Sequence, residues 1–295
     1  GGRYFVDTNA LSLKLFVTND LSINIQYFSG LYIVGSTSGC LGKITDVDIT
    51  NYYLVVKPII NGSKNFSSGE SLKIFGSKAL AMASLHNSSI SADFSATLDA
   101  DTTTTISGVY GVVNSTQFTI NTNSLEVGDV LSIQDSANPY DNYIVTDITA
   151  NGFAVVNKPL DENYSNVTVT VSKFASRYVM EVGFDSGVYF TNNNFVKALP
   201  QTIIPNKKTQ YPSCVIGYEV TETLIDFVDD TSLLDPAQGS YNYTAPGADR
   251  YKIYLELVSK PLVGGEIQNI TNSKFIELLR ISNGNIVSDT TGSKL

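Results

Sequence analysis

Apolar and polar residues alternate along most of this chain, and a period of two predicts half-buried strands. From Tyr4 to Val17, Leu11, Leu13, Leu15 and Val17 fall on one face, with Ser12, Lys14 and Phe16 on the other. Leu21, Ile23 and Ile25 repeat the alternation after Asn19-Asp20, so Tyr4 to Tyr27 reads as a hairpin. Gly30 to Gly76 reads as a small all-β module, with strands at Leu31–Val34, Lys43–Val47 and Tyr52–Lys57 and a turn entering a last strand over Phe66–Ile74. Gly108 to Val171 reads as a second, with strands at Gln117–Ile120, Tyr143–Ile148 and Phe153–Val156 and again a turn entering a strand over Leu125–Ile133.

The two modules share phrases. Ile44-Thr45-Asp46-Val47 followed by Leu54-Val55-Val56 echoes Val145-Thr146-Asp147-Ile148 followed by Ala154-Val155-Val156, and Phe66–Ile74 echoes Leu125–Ile133. The order differs, because the Gly-Glu phrase comes last in the first module while the Gly-Asp phrase comes before Thr-Asp in the second. A simple tandem repeat is therefore excluded. Between the modules, Ala79–Ala83 suits a turn of helix. Ala92–Thr105 has little to bury and reads as an extended connector, with a domain boundary near Thr102.

Beyond the modules, Tyr178–Val182 and Val188–Phe190 read as strands around a tight turn at Asp185-Ser186-Gly187, and Lys207-Lys208 as a loop tip. Cys214–Val220 and Arg250–Val258 alternate as strands and bracket a long polar connection rich in turn formers: Asp229, Asp230, Pro236, Gly239, Asn242, Pro246 and Gly247. A connection of that length in a compact domain usually covers or binds something. Pro246 fixes φ and Gly247 tolerates a positive φ, which predicts a type II turn. Ile267, Ile270, Phe275, Leu278 and Leu279 suit a helix over Glu266–Ile281, capped at Asn269 or Thr271 and stopped at Asn283-Gly284.

Composition agrees with sheet. There are 17 Tyr, 14 Phe and no Trp, and the chain is rich in Thr, Val and Ile. Charged residues make up only 16 %, replaced by Asn, Ser and Thr, which suits faces covered by neighbours in an assembly. A net charge of −9 argues against gripping nucleic acid or an anionic membrane surface. No apolar run approaches a bilayer span, and no signal peptide precedes the first strand. The chain starts without Met and stops in a polar run, so it reads as a piece of a longer polypeptide. Cys40 and Cys214 are far apart in sequence, which favours two buried free thiols over one disulfide.

Chemistry finds little footing. His86 is the only histidine and has no patterned acid or serine beside it. Asp226, Asp229, Asp230 and Asp235 are dense enough to raise paired-carboxylate hydrolysis or Ca²⁺ binding, but they sit among turn formers, where Asp caps turns, and lack alternating ligand spacing. Ala245–Arg250 contains Gly but no Gly-Lys-Ser/Thr, so it is no phosphate cradle. Tyr241, Tyr243, Tyr251 and Tyr254 straddle this block. Exposed Tyr suits protein interfaces, and it equally suits sugar stacking. The partner-contact loop expected here comprises Tyr241, Tyr243, Pro246, Asp249 and Arg250. No catalytic, cofactor-binding or metal-binding residue is assigned.

The block DDTSLLDPAQGSYNYTAPGADRYKI, with GVYFTNNNFV before it and FIELLRISNGNIV after it, resembles a domain of uncharacterised function in large virion structural proteins of tailed phages. The resemblance covers Arg177 to Leu295. It implies a tail or baseplate component located in the virion tail and assembled in the host cytoplasm. It implies other virion proteins and copies of itself as partners, and it offers no catalytic residues. The fold expected is mainly β: several small antiparallel barrel or sandwich modules with one short helix near the C-terminal end. The divisions are 1–101 (hairpin, module and connector), 102–173 (second module) and 174–295 (β domain with a long loop at 226–250). The alternative reading is a tail-fibre or adhesin module that binds host-surface glycan. A depolymerase would need two of the loop acids to converge in a cleft.

Overall fold

The computed structural model describes residues 3–59, 65–133, 141–239, 241–263, 266–267 and 274–290. The fold is mainly β and antiparallel, built from several sheets that include a closed six-stranded barrel.

The first module contains β1 (Tyr4–Lys14), β2 (Tyr32–Gly35), β3 (Leu41–Asp48), β4 (Tyr53–Pro58), β5 (Ser71–Phe75) and β6 (Phe94–Thr97), with helices α1 (Asn19–Asn24) and α2 (Lys78–Ser84). The strands lie in the order β1-β4-β3-β2-β5-β6. A bridge between Leu15 and Leu98 brings the two ends together. It is flanked by Phe16 N–H donating to the Thr97 carbonyl at 2.9 Å and Asp99 N–H to that of Lys14 at 2.9 Å. Leu13, Ile33, Ile44, Leu54, Leu72 and Ile74 fill the interior.

The second module contains β7 (Thr102–Gly111), β8 (Gln117–Thr119), β9 (Val130–Ile133), β10 (Asp141–Ile148), β11 (Phe153–Val156) and β12 (Tyr164–Lys173), closed in the order β10-β11-β8-β7-β12-β9. Its core centres on Phe118, Tyr143 and Tyr164. Phe118 meets Tyr143 edge-on at 5.3 Å between ring centres, and the two tyrosine hydroxyls satisfy each other at 3.0 Å.

The shared phrases have one geometry in both modules. Thr45-Asp46 and Thr146-Asp147 each form a bulge, where the register slips between Ile44 and Asp46 and between Val145 and Asp147. Each bulge Asp accepts from the next N–H at 2.8 Å, in Val47 and Ile148. In the other phrase, Gly69 and Gly128 both take positive φ, and Glu70 and Asp129 fold back to accept from the N–H three residues earlier, in Ser67 and Glu126. With the Leu15–Leu98 bridge joining its ends, the first module matches the second in every neighbour relation when β1–β5 are set on β8–β12 and β6 on β7, as a circular permutation would. That match aligns the Thr-Asp bulges of β3 and β10 but sets the Gly-acid turn before β5 against β12 rather than β9, so strand order alone does not account for the scrambled phrases.

The third part contains β13 (Ser176–Phe184), β14 (Gly187–Thr191), β15 (Asn194–Ala198), β16 (Gln201–Ile203), β17 (Cys214–Ile225), β18 (Arg250–Val263), β19 (Glu266–Ile267), β20 (Phe275–Ser282) and β21 (Asn285–Asp289). β13 and β16 extend the first module's sheet beyond β1, and β19-β18-β17-β20-β21 form a second sheet. Met180, Val182 and Phe184 on β13 face Ile216, Tyr218 and Leu279 across the core between them.

Several expectations are corrected. Residues 19–27 are helical, because Leu21 and Ile25 are buried four apart while Ile23 is exposed, and the Thr18 hydroxyl accepts from Leu21 N–H at 3.2 Å. β1 pairs instead with β4 and β13. The expected C-terminal helix is strand: β19 and β20 occupy its two ends, and its capping candidates Asn269 and Thr271 lie outside the described residues. Asn283 and Gly284, at φ 48° and 76°, make the tight turn of the β20–β21 hairpin. The connector Ala92–Thr105 carries β6 and the start of β7. Helix α2 covers the expected Ala79–Ala83. Both cysteines are free and buried, and burial pushes the Cys214 thiol up to about 11.

Candidate interaction surface

β17 and β18 pair without a break from Cys214↔Pro261 to Ile225↔Arg250. Their neighbours stop sooner. β20 pairs with β17 only as far as Glu219, followed by one bond from Val220 N–H to the Lys274 carbonyl at 2.9 Å. On the other edge the Gln201 side chain stands in for a strand. Its amide donates to the Leu255 carbonyl at 2.8 Å, and its oxygen accepts from Leu257 N–H at 2.7 Å. Backbone groups two residues apart in a strand point the same way. The amides of Glu222 and Leu224 on one edge, and of Tyr251 and Ile253 on the other, therefore point outward. Among the described residues no strand pairs with either edge there. The last rungs thus form, among the described residues, a two-stranded ribbon with neither edge paired. An isolated ribbon of that kind is marginal in water, and open edges are templates for pairing.

The ribbon's inner face continues the core. Tyr218, Val220, Leu255 and Leu257 are buried at its root, and the same alternation carries Glu222, Leu224, Tyr251 and Ile253 outward. The β14–β15 hairpin covers the root with Tyr189, Val196 and Ala198. Its cover ends where the Asn192 side-chain amide donates to the Glu222 carboxylate. Glu222 also takes Lys274 at 2.9 Å and the Tyr251 hydroxyl, and these partners, Lys274 first, hold its carboxyl below the ordinary range. Beyond that point Leu224 is 65 % exposed and Tyr251 54 %. The hairpin's outer face adds Val188, Phe190 and Phe195, the last 79 % exposed, with the two phenylalanine rings 5.1 Å apart.

The connection 226–249 caps the ribbon and folds on itself. Asp226 accepts from Val228 and Asp229 N–H, Asp230 from Ser232 at the start of a 3₁₀ turn over Thr231–Leu233, and Asp235 from Ala237. Three of the four acids thus serve their own turns. Among the described residues no three His, Cys, Asp or Glu side chains group to hold a metal ion. Leu234 bridges to Pro246, and Gly247 N–H reaches the Leu233 carbonyl at 2.9 Å. Gly247 does not have a positive φ, so the expected type II turn is replaced by this close approach, where a Cβ would strike the Leu233 carbonyl.

Of the expected contact residues, Tyr241 is fully exposed, Tyr243 is half-exposed, Pro246 and Asp249 are exposed in the cap, and Arg250 pairs with Asp230 at 3.5 Å. Tyr251 and Tyr254 lie on opposite faces of the ribbon, Tyr254 under Lys252, so these two rings do not share one face. Leu224, Val228, Phe190 and Phe195 were not anticipated. The period-two pattern marks Leu224 as core-facing, but where the covering hairpin stops is a tertiary fact. His86 is exposed after α2. Among the described residues no helix is long and apolar enough to cross a membrane. No family model, curated protein or solved structure matches this chain.

Proposed function

We propose that this chain is a structural component of a tailed-phage virion, a tail or baseplate protein that works by holding neighbouring chains rather than by catalysis. The observation that carries the protein–protein reading is the ribbon Thr221–Ile225 with Arg250–Tyr254, whose edges are open and whose core-facing side runs past its cover. A neighbouring strand added to either edge would satisfy the free amides and bury Leu224 and Tyr251, the two terms that drive strand addition. The virion reading rests on the resemblance of Arg177–Leu295 and on the sparsely charged, hydroxyl-rich composition.

The test is the double variant Leu224→Ala/Tyr251→Ala. Both side chains are mostly exposed, so folding should be unchanged. Truncating an interface anchor costs about 2 kcal/mol or more, roughly thirtyfold in binding. Particles assembled with the variant should carry far less of this chain at unchanged expression. Incorporation at the normal copy number would sink the assignment of the ribbon.

A further inference from the structure

We propose that the second barrel is a docked module that hinges at its double chain crossing and is held in place by a latch of charges at its Glu126–Asp129 turn. This inference is independent of what the ribbon binds.

The barrel's core is its own. Among the described residues, its apolar cluster, from Val109 to Val171, takes no residue from outside β7–β12 and their connecting loops. The chain enters and leaves at one point, because Thr102 and Lys173 are opposite each other on the first rung of β7 and β12. A single bond ties the two connections together, from Ala175 N–H to the Asp101 carboxylate at 2.8 Å. Such a double crossing is a hinge by construction.

What fixes the barrel against the rest is mostly polar. The Glu126–Asp129 turn projects into the junction of the three parts. Arg177 on β13 donates to the Val127 carbonyl and to the Asp129 carboxylate, each at 3.2 Å. Lys208, in the strap between β16 and β17, pairs with Glu126 at 2.7 Å, while its neighbour Lys207 pairs with Asp46 of the first module at 2.8 Å. This strap, expected as a loop tip, is tied to both modules. Gly128 has φ 90°, and a Cβ there would strike the Lys208 carbonyl. One further bond runs from the Asn283 side chain to the Asn157 carbonyl at 2.7 Å.

The seam is poorly filled. Three clefts of about 170, 470 and 210 Å³ border the turn, lined on one side by Gly128 and Val130, by Glu126 and Val127, and by Val127 and Asp147. Where charge pairs around open clefts hold two parts together, relative motion is the expectation. Charge pairs at such a seam weaken with salt.

Small-angle scattering of the full chain tests this with Glu126→Lys, Lys208→Glu and the double swap. Glu126 and Lys208 are partly exposed, so each variant should fold. At 50 mM salt the wild type should keep one compact profile. Each single variant sets like charges against each other and should raise the radius of gyration, the double swap should restore it, and 1 M salt should open the wild type. Identical profiles in every case, or a double swap as open as the singles, would overturn the latch.

Discussion

Phe118→Ala is expected to remove about 3–5 kcal/mol from the second barrel and little from the rest of the chain. Phe118 is fully buried, and its ring sits 5.3 Å from Tyr143 and 5.7 Å from Tyr164. The two tyrosines cannot collapse into the space without breaking their mutual hydroxyl bond and the bond from Tyr143 to Asp161. A closed ring of six short strands leaves the backbone little room to follow. In calorimetry one transition should drop by more than about 12 °C, given the shift per kcal/mol of a domain this small, while the others stay. If all transitions moved together, the barrel would not be an independent unit, and the seam around Glu126 would be stronger than its charges imply.

Glu70→Ala should destabilise the first module by about 3 kcal/mol or more, because it orphans four buried or part-buried donors at about 1–3 kcal/mol each. Glu70 accepts from Thr37 and Ser38 N–H at 2.9 Å, from the Ser38 hydroxyl at 2.7 Å, and from Ser67 N–H at 2.7 Å. It thus ties the β2–β3 turn to the turn that enters β5. Gly35 lies so close that a Cβ there would strike the carboxylate, which leaves little room for a solvating water to replace it. Glu70→Gln keeps the shape but sets an amide N–H₂ against these donors, so its loss should be intermediate. Urea midpoints of the two variants check this. A Glu70→Ala protein as stable as wild type would mean the carboxylate is not what holds the two turns.

Much of the fold was legible where a strand keeps one face wet. β3, β10 and β11 bury alternate positions over much of their length, and the phrases Thr45-Asp46 and Thr146-Asp147 mark real bulges. The sequence misleads where a strand is covered on both faces. β20 buries the adjacent Leu278 and Leu279 together with Ile281, and two neighbouring apolar residues buried on opposite faces break the period of two and imitate helical spacing. Asn283-Gly284 was the better signal there, since Asn-Gly between apolar runs favours a hairpin over a helix stop. The reverse error at Leu21–Ile25 came from three apolar residues two apart, of which only the outer two are buried. Of the candidate surface, the loop tyrosines were legible as exposed. The ribbon's open edges were not, because they depend on where β20 and the β14–β15 hairpin end.

We propose that this chain is a fixed part of a phage tail or baseplate and works by contact. Quantitative mass spectrometry of purified virions, separated into capsid and tail fractions, tests it most directly. The account predicts peptides of this chain in the tail fraction at a constant copy number per particle. Their absence from intact particles would contradict it.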